Sequence, residues 1–205
     1  MSGKRLDTVD TFDQFDHDHW KALGTKLGGV EVVKAILRDT ATVKVDIIRR
    51  LTSLTSLAVA SNTINPHDFF RIRKGLWTSS NFNNFILSGA SKKMSANEAT
   101  VGYADLAQAA NDAEIGAELS KGYVFEDVGT FLVHLATLIE GQWGGKEGTL
   151  LNNGYVNIFY VKVNGEVFAV FVYWRAGYRE WHCVASRLAG GRWRAGGRAF
   201  SATGA

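Results

Sequence analysis

The segment YVNIFYVKVNGEVFAVFVYW, residues 155–174, constrains the fold of this chain more than any other. Two runs of alternating apolar residues flank Asn164-Gly165, the dipeptide best suited to the two positive-φ positions of a two-residue hairpin turn. With that pair as the turn the register follows by counting: Val163 opposes Glu166, Val161 opposes Phe168, Phe159 opposes Val170 and Ile158 opposes Phe171. A second reversal at Ala176-Gly177 sets Tyr173 opposite Glu180, Phe171 opposite His182 and Val170 opposite Cys183. A third strand then runs from about Arg179 to Leu188. Ala189-Gly190-Gly191 turns the chain again, and Arg198 to Ser201 supplies a short fourth strand.

Side chains alternate across a sheet, so this register sorts them. One face collects Phe159, Val161, Phe168, Val170, Val172, Trp181, Cys183 and Ala185 and is the expected core side. The other holds Ile158, Tyr160, Lys162, Phe171, Tyr173, Arg175, Glu180, His182 and Ser186. Its mixture of rings and ionisable groups marks it as the candidate binding face. His182 and Cys183 are adjacent and therefore point to opposite faces, which rules out a nucleophile–base pair between them. Cys183 is expected to be a small buried hydrophobe that reacts slowly with thiol reagents.

Upstream the pattern is mainly helical. Val30, Val33 and Leu37 recur at helical spacing after Leu27-Gly28-Gly29, and residues 40–48, TATVKVDII, alternate as a strand. Leu51 to Leu57 has period three and fits neither template. Asn65-Pro66 predicts a capped helix through Lys74, stopped by Gly75, and Asn81 to Leu87 predicts another turn or two. The Ala, Leu, Gln and Glu content of Tyr103 to Ala117 favours helix. Asp127 caps a helix through Glu140 that buries Phe131, Leu132, Leu135, Leu138 and Ile139 and ends near Gly141. His134, on that apolar face, is expected to be a satisfied core histidine.

The expected fold class is therefore α+β: a helical N-terminal half with one or two strands, packed on a C-terminal three- to four-stranded antiparallel meander. A single domain spans residues 1–205, with a polar, partly disordered segment at 1–26, a mainly helical part at 27–142 and the sheet at 150–202. The hydrophobic fraction of 46% and charged fraction of 21% are those of a globular chain. One cysteine excludes an internal disulfide. Met1 to Asp18 is polar and acid-rich without a signal-like apolar run, and no stretch is long and apolar enough to span a bilayer. A cytoplasmic protein without membrane contact is expected.

The net charge of +3 is unevenly spread, since Phe171 to Ala205 carries six arginines against one acid, Glu180. The planar fork of Arg suits phosphates and aromatic faces. The closing stretch GGRWRAGGRAF repeats Gly-Gly-Arg twice, and with a strand on either side it reads as a last hairpin rather than a disordered RNA-binding tail.

The leading functional reading is a non-enzymatic module that binds a polyanion such as RNA. Its candidate residues are Tyr160, Tyr173, Arg175, Arg179, Glu180, His182, Arg192, Arg194 and Arg198: arginines for phosphates, rings for bases. A second reading is a protein–protein interaction or structural module on the same aromatic face. A third is a metal-dependent hydrolase built on FDQFDHDHW, where Asp16, His17 and His19 are candidate ligands, although the other histidines, at 67, 134 and 182, supply no matching cluster. No phosphate loop, nucleophile elbow or dinucleotide fingerprint occurs, and no cofactor is expected.

KLGGVEVVKAILR, GYADLAQAA and the ending VNGEVFAVFVYW…REWHCVASRLAGGRWRAGGRAF, in this order, resemble a family of uncharacterised proteins encoded by uncultivated bacteria with very small genomes. The resemblance implies one continuous cytoplasmic unit and carries no activity with it.

Overall fold

The computed structural model describes residues 25, 26, 29, 49–119, 122–188 and 191–204. The chain divides into two units, Met1–Ile47 and Ile48–Ala205, and the fold below is that of the second. The helix expected at 30–37, the strand at 40–48 and all but the last two residues of the polar segment 1–26 lie outside the described residues.

The unit begins with strands β1 (Thr55–Val59) and β2 (Asn62–Ile64), a one-turn helix α1 (Pro66–Phe69) and β3 (Leu76–Thr78). A π-helical turn, Phe82–Ile86, and a 3-10 turn, Leu87–Gly89, lead to β4 (Met94–Ala96), β5 (Ala99–Asp105) and β6 (Ala110–Asn111). Then come α2 (Asp112–Leu119), β7 (Val124–Phe125) and α3 (Val128–Gly141). The last part holds β8 (Asn157–Val163), β9 (Glu166–Arg175), β10 (Glu180–Arg187), β11 (Arg192–Trp193) and β12 (Arg198–Ser201). Eight strands form one mixed sheet in the order β1-β5-β12-β8-β9-β10-β3, with β7 alongside the far half of β8.

The Asn-Gly hairpin forms with the expected register. Asn164 and Gly165 both take positive φ, 51° and 84°, and Val163 opposes Glu166 through to Ile158 opposite Phe171. The next reversal differs. Its loop is Ala176 to Arg179, not Ala176-Gly177, so Arg175 opposes Glu180, Tyr173 opposes His182 and Val172 opposes Cys183. Arg179 supplies the left-handed residue at φ 54°, and the Tyr178 N–H donates to the Arg175 carbonyl at 3.0 Å. The longer ladder brings Trp174 edge-on against Trp181, with ring centroids 5.4 Å apart. A slip of two residues preserves every side chain's face, so the sorting of faces survives the different turn.

Two larger expectations are corrected. First, among the described residues the region before α3 is not mainly helical: β1 to β7 dominate it, and Tyr103 to Asn111 runs through the end of β5, a bend and β6 rather than a helix. β5 lies between β1 and β12 and is packed on both sides, Val101 and Tyr103 toward one layer and Gly102 and Ala104 toward the other. Its small residues suit that doubly covered position, and strand pairing outweighs their helix propensity. Likewise Asn65 does cap α1, its Oδ1 accepting the His67 N–H at 3.2 Å. The helix stops after one turn because Arg73 and Leu76 exchange backbone bonds of 3.0 and 2.9 Å, a tight turn that feeds β3 into its parallel place beside β10. Asp127 caps α3 as expected, accepting from the Thr130 N–H at 2.6 Å.

Second, β12 closes no hairpin with the preceding strand. It lies antiparallel to β5 and parallel to β8. Ala199 and Phe200 are both fully buried, on opposite faces, which only an interior strand provides. Phe200 stacks on Phe159 with centroids 4.3 Å apart.

Both faces of the sheet are covered, giving three layers. On the first, α3, α1 and the π-helical turn enclose Phe159, Val161, Phe168, Val170, Val172, Trp181 and Cys183. On the second, α2 and the residues before it enclose Ile158, Tyr160, Ala169 and Ala199 with Leu106, Ala110, Ile115 and Leu119. The face expected to meet solvent is thus a second core over β12 and β8. Only its β9, β10 and β3 portion extends past that cover.

Candidate functional site

That remaining portion carries a row of rings placed by the register. Tyr173 of β9, His182 of β10 and Trp77 of β3 are direct neighbours across three strands. Their rings overlap in a column: His182 lies 5.2 Å from Tyr173 at 31° and 4.7 Å from Trp77 at 29°. Phe171, two residues before Tyr173 and on the same face, meets the Trp193 ring edge-on at 5.3 Å. Trp193 comes from β11, which pairs with β6, and its Nε1–H donates to Asp112 Oδ1 at 2.7 Å. Trp193, Phe171, Tyr173 and Trp77 are half-buried.

Glu180 orients the imidazole. It precedes His182 by two residues on the same strand face, and its Oε1 accepts from Nε2–H at 2.9 Å. On the other side of the ring, Nδ1 lies 3.5 Å from the Tyr173 hydroxyl. The His182 side chain is 6% exposed and that of Glu180 19%. The imidazole is thus held between the Tyr173 and Trp77 rings, covering one side of each.

The row has cations at both ends. At the β9–β10 loop, the Arg175 guanidinium lies 4.2 Å over the exposed Tyr178 ring, and Arg179 stands in solvent beside it. The Gly75 carbonyl accepts the Trp181 N–H at 3.0 Å, which brings Lys74 to the same edge. None of these three cations is ion-paired among the described residues. At the other end, the Arg194 side chain makes no hydrogen bond or ion pair among the described residues and lines a groove of about 430 Å³ with Asn153 to Val156, Arg192 and Trp193.

Other expected site residues are engaged within the fold. Tyr160 is fully buried and donates to Asp112 Oδ1 at 2.9 Å. Burial first, then the Asp112 charge, holds its phenol well above the usual range. It cannot touch a ligand. Arg198 is structural: its Nε and Nη2 grip Asp105 at 2.6 and 3.1 Å, and it covers Tyr103 at 4.3 Å. Arg192 is tied to Glu114 at 3.2 Å. Tyr173, Arg175, Arg179, Glu180 and His182 do come together, with Arg194 beyond Phe171 and Trp193.

Trp77 and Tyr155 join the site without having been expected there. The only local signal for Trp77 is the short Leu-Trp-Thr alternation after Gly75, and its pairing with β10 is parallel and remote in sequence.

Cys183 is fully buried opposite His182, as the alternation requires, and burial raises its thiol pKa. His134 departs from expectation in one respect. Its Nε2 faces the Asn97 carbonyl at 3.4 Å, but the buried Nδ1 has no partner among the described residues. Asp16, His17 and His19 lie outside the described residues, among which no group of three metal-ligating side chains occurs. No helix among the described residues is long and apolar enough to cross a membrane. No family model, curated protein or solved structure matches the chain.

Proposed function

We propose that this protein binds single-stranded RNA along the row Trp193–Phe171–Tyr173, without catalysing its chemical change. One observation carries the reading: half-buried rings in line along one face of β9, with arginines that have no carboxylate partner among the described residues at each end, Arg175 and Arg179 at one and Arg194 at the other. Rings two residues apart on a strand are separated by roughly 7 Å, a spacing that presents successive π faces to an extended strand. The arginines then meet phosphates while the rings meet bases, and the His182–Glu180 support keeps the platform stiff. RNA as ligand accords with the cytoplasmic location expected from the lone cysteine.

The test is a salt titration with a short oligouridylate. Affinity should fall linearly in log–log form, and Arg175→Ala/Arg179→Ala should lower the slope by about 1.4, at roughly 0.7 for each phosphate left without its cation. Absence of binding at low ionic strength, or an unchanged slope in the double variant, refutes the proposal. Light scattering that finds a dimer while RNA fails to bind would favour the protein-interaction reading.

A further inference from the structure

We infer that the groove between Asn153–Val156 and Arg192–Arg194 is a subsite for one nucleotide, a nucleobase with its adjacent phosphate. The inference rests on the RNA reading and deepens it. The groove, about 430 Å³, has the size of a small-ligand site. Its aromatic walls are fixed before any ligand arrives. Trp193 is pinned by the bond from its Nε1–H to Asp112 and by its edge contact with Phe171. Tyr155, 47% exposed, lies over the backbone of Gly196, where an added Cβ would come within 2.7 Å of the Tyr155 ring. That glycine, at φ +91°, lets the ring rest on the chain.

The polar groups complete the match. Asn153 Oδ1 accepts the Tyr155 N–H at 3.2 Å and so sets the turn that presents the ring. Arg192 is held by Glu114, whereas the Arg194 guanidinium has no partner among the described residues and is available to a phosphate. Two π walls and one uncommitted fork suit a flat, anionic ligand better than a sugar or an aliphatic acid, which would leave the rings unused. The ligand could be a strand end or a free mononucleotide, and the chemistry is the same.

The experiment uses the full chain, following the Trp193 indole N–H resonance by NMR during titration with AMP, adenosine and inorganic phosphate. AMP is expected to shift it saturably. Arg194→Ala should weaken AMP about tenfold while changing adenosine less than twofold, and Tyr155→Ala should weaken both. Oligouridylate carrying a 5′-phosphate that binds more tightly than its 5′-hydroxyl form assigns the subsite to a strand end; equal binding with AMP still bound assigns it to free nucleotide. If the oligonucleotide binds but AMP leaves Trp193 unmoved and neither variant alters any affinity, the subsite is overturned and the RNA reading stands. If no oligonucleotide binds although AMP does, the RNA reading falls and the nucleotide site remains.

Discussion

Asp112 joins the second core to the candidate site, and its removal should reveal that coupling. Its Oδ1 accepts from the buried Tyr160 hydroxyl at 2.9 Å and from the Trp193 indole at 2.7 Å, and it stands in the first turn of α2. Asp112→Ala leaves the phenol orphaned, at about 1–3 kcal/mol, and removes a negative charge from a helix N-terminus, at about 0.3–1 kcal/mol. A loss of about 1.3–4 kcal/mol is expected. Tyr160→Phe deletes the donor instead and should cost about 1.5–3 kcal/mol, the range for a hydrogen bond to a charged group. The double variant leaves no orphaned phenol, while the Trp193 indole loses its acceptor equally in Asp112→Ala and in the double variant, so the double variant's loss should fall short of the sum by about 1–2 kcal/mol. Urea unfolding followed by circular dichroism, with m unchanged, measures all four corners of the cycle. Additivity within about 0.5 kcal/mol would refute the argument. Tyr160→Phe should also leave RNA affinity unaltered, because the phenol never reaches solvent.

Two further expectations concern buried titratable groups. Burial lowers the pKa of His134, an effect only partly opposed by the Asn97 carbonyl, so the folded chain keeps the ring neutral. The unfolded chain takes up a proton near pH 6.5, so stability should fall below that pH by up to about 1.4 kcal/mol per unit until the folded ring protonates too. His134→Leu should flatten this dependence, and urea midpoints at pH 7.5 and 5.5 that shift equally in both proteins would contradict it. Cys183, fully buried with its thiol pKa raised, should react with a disulfide reagent only as fast as the chain opens. Native-state labelling at the rate of an exposed thiol would place the sulfur elsewhere.

What can be read from sequence here is local. Asn164-Gly165 specifies its own turn, and Asp127 and Asn65 specify their caps, because the groups they satisfy lie within a few residues. The β9–β10 turn is longer than its dipeptide suggests, yet Cys183 and His182 still fall on opposite faces, since a slip of two leaves the period-two pattern intact. Alternation alone is therefore enough to bring Tyr173, Glu180 and His182 together.

Partner choice at long range is another matter. Nothing near Phe200 says that its strand inserts between β5 and β8, and nothing near Tyr160 says that α2 will cover it. The two tyrosines of the face show how much turns on this. Tyr160 and Tyr173 are on the same face of neighbouring strands and look alike in sequence, but one lies under α2 and bonds Asp112 while the other lies beyond it. A mixed row of rings and charges records only that a face is shared. Which part becomes core and which stays available to a ligand is decided by the reach of the layer above. In this chain that boundary falls at Trp193, the residue that both closes the second core and begins the proposed RNA path.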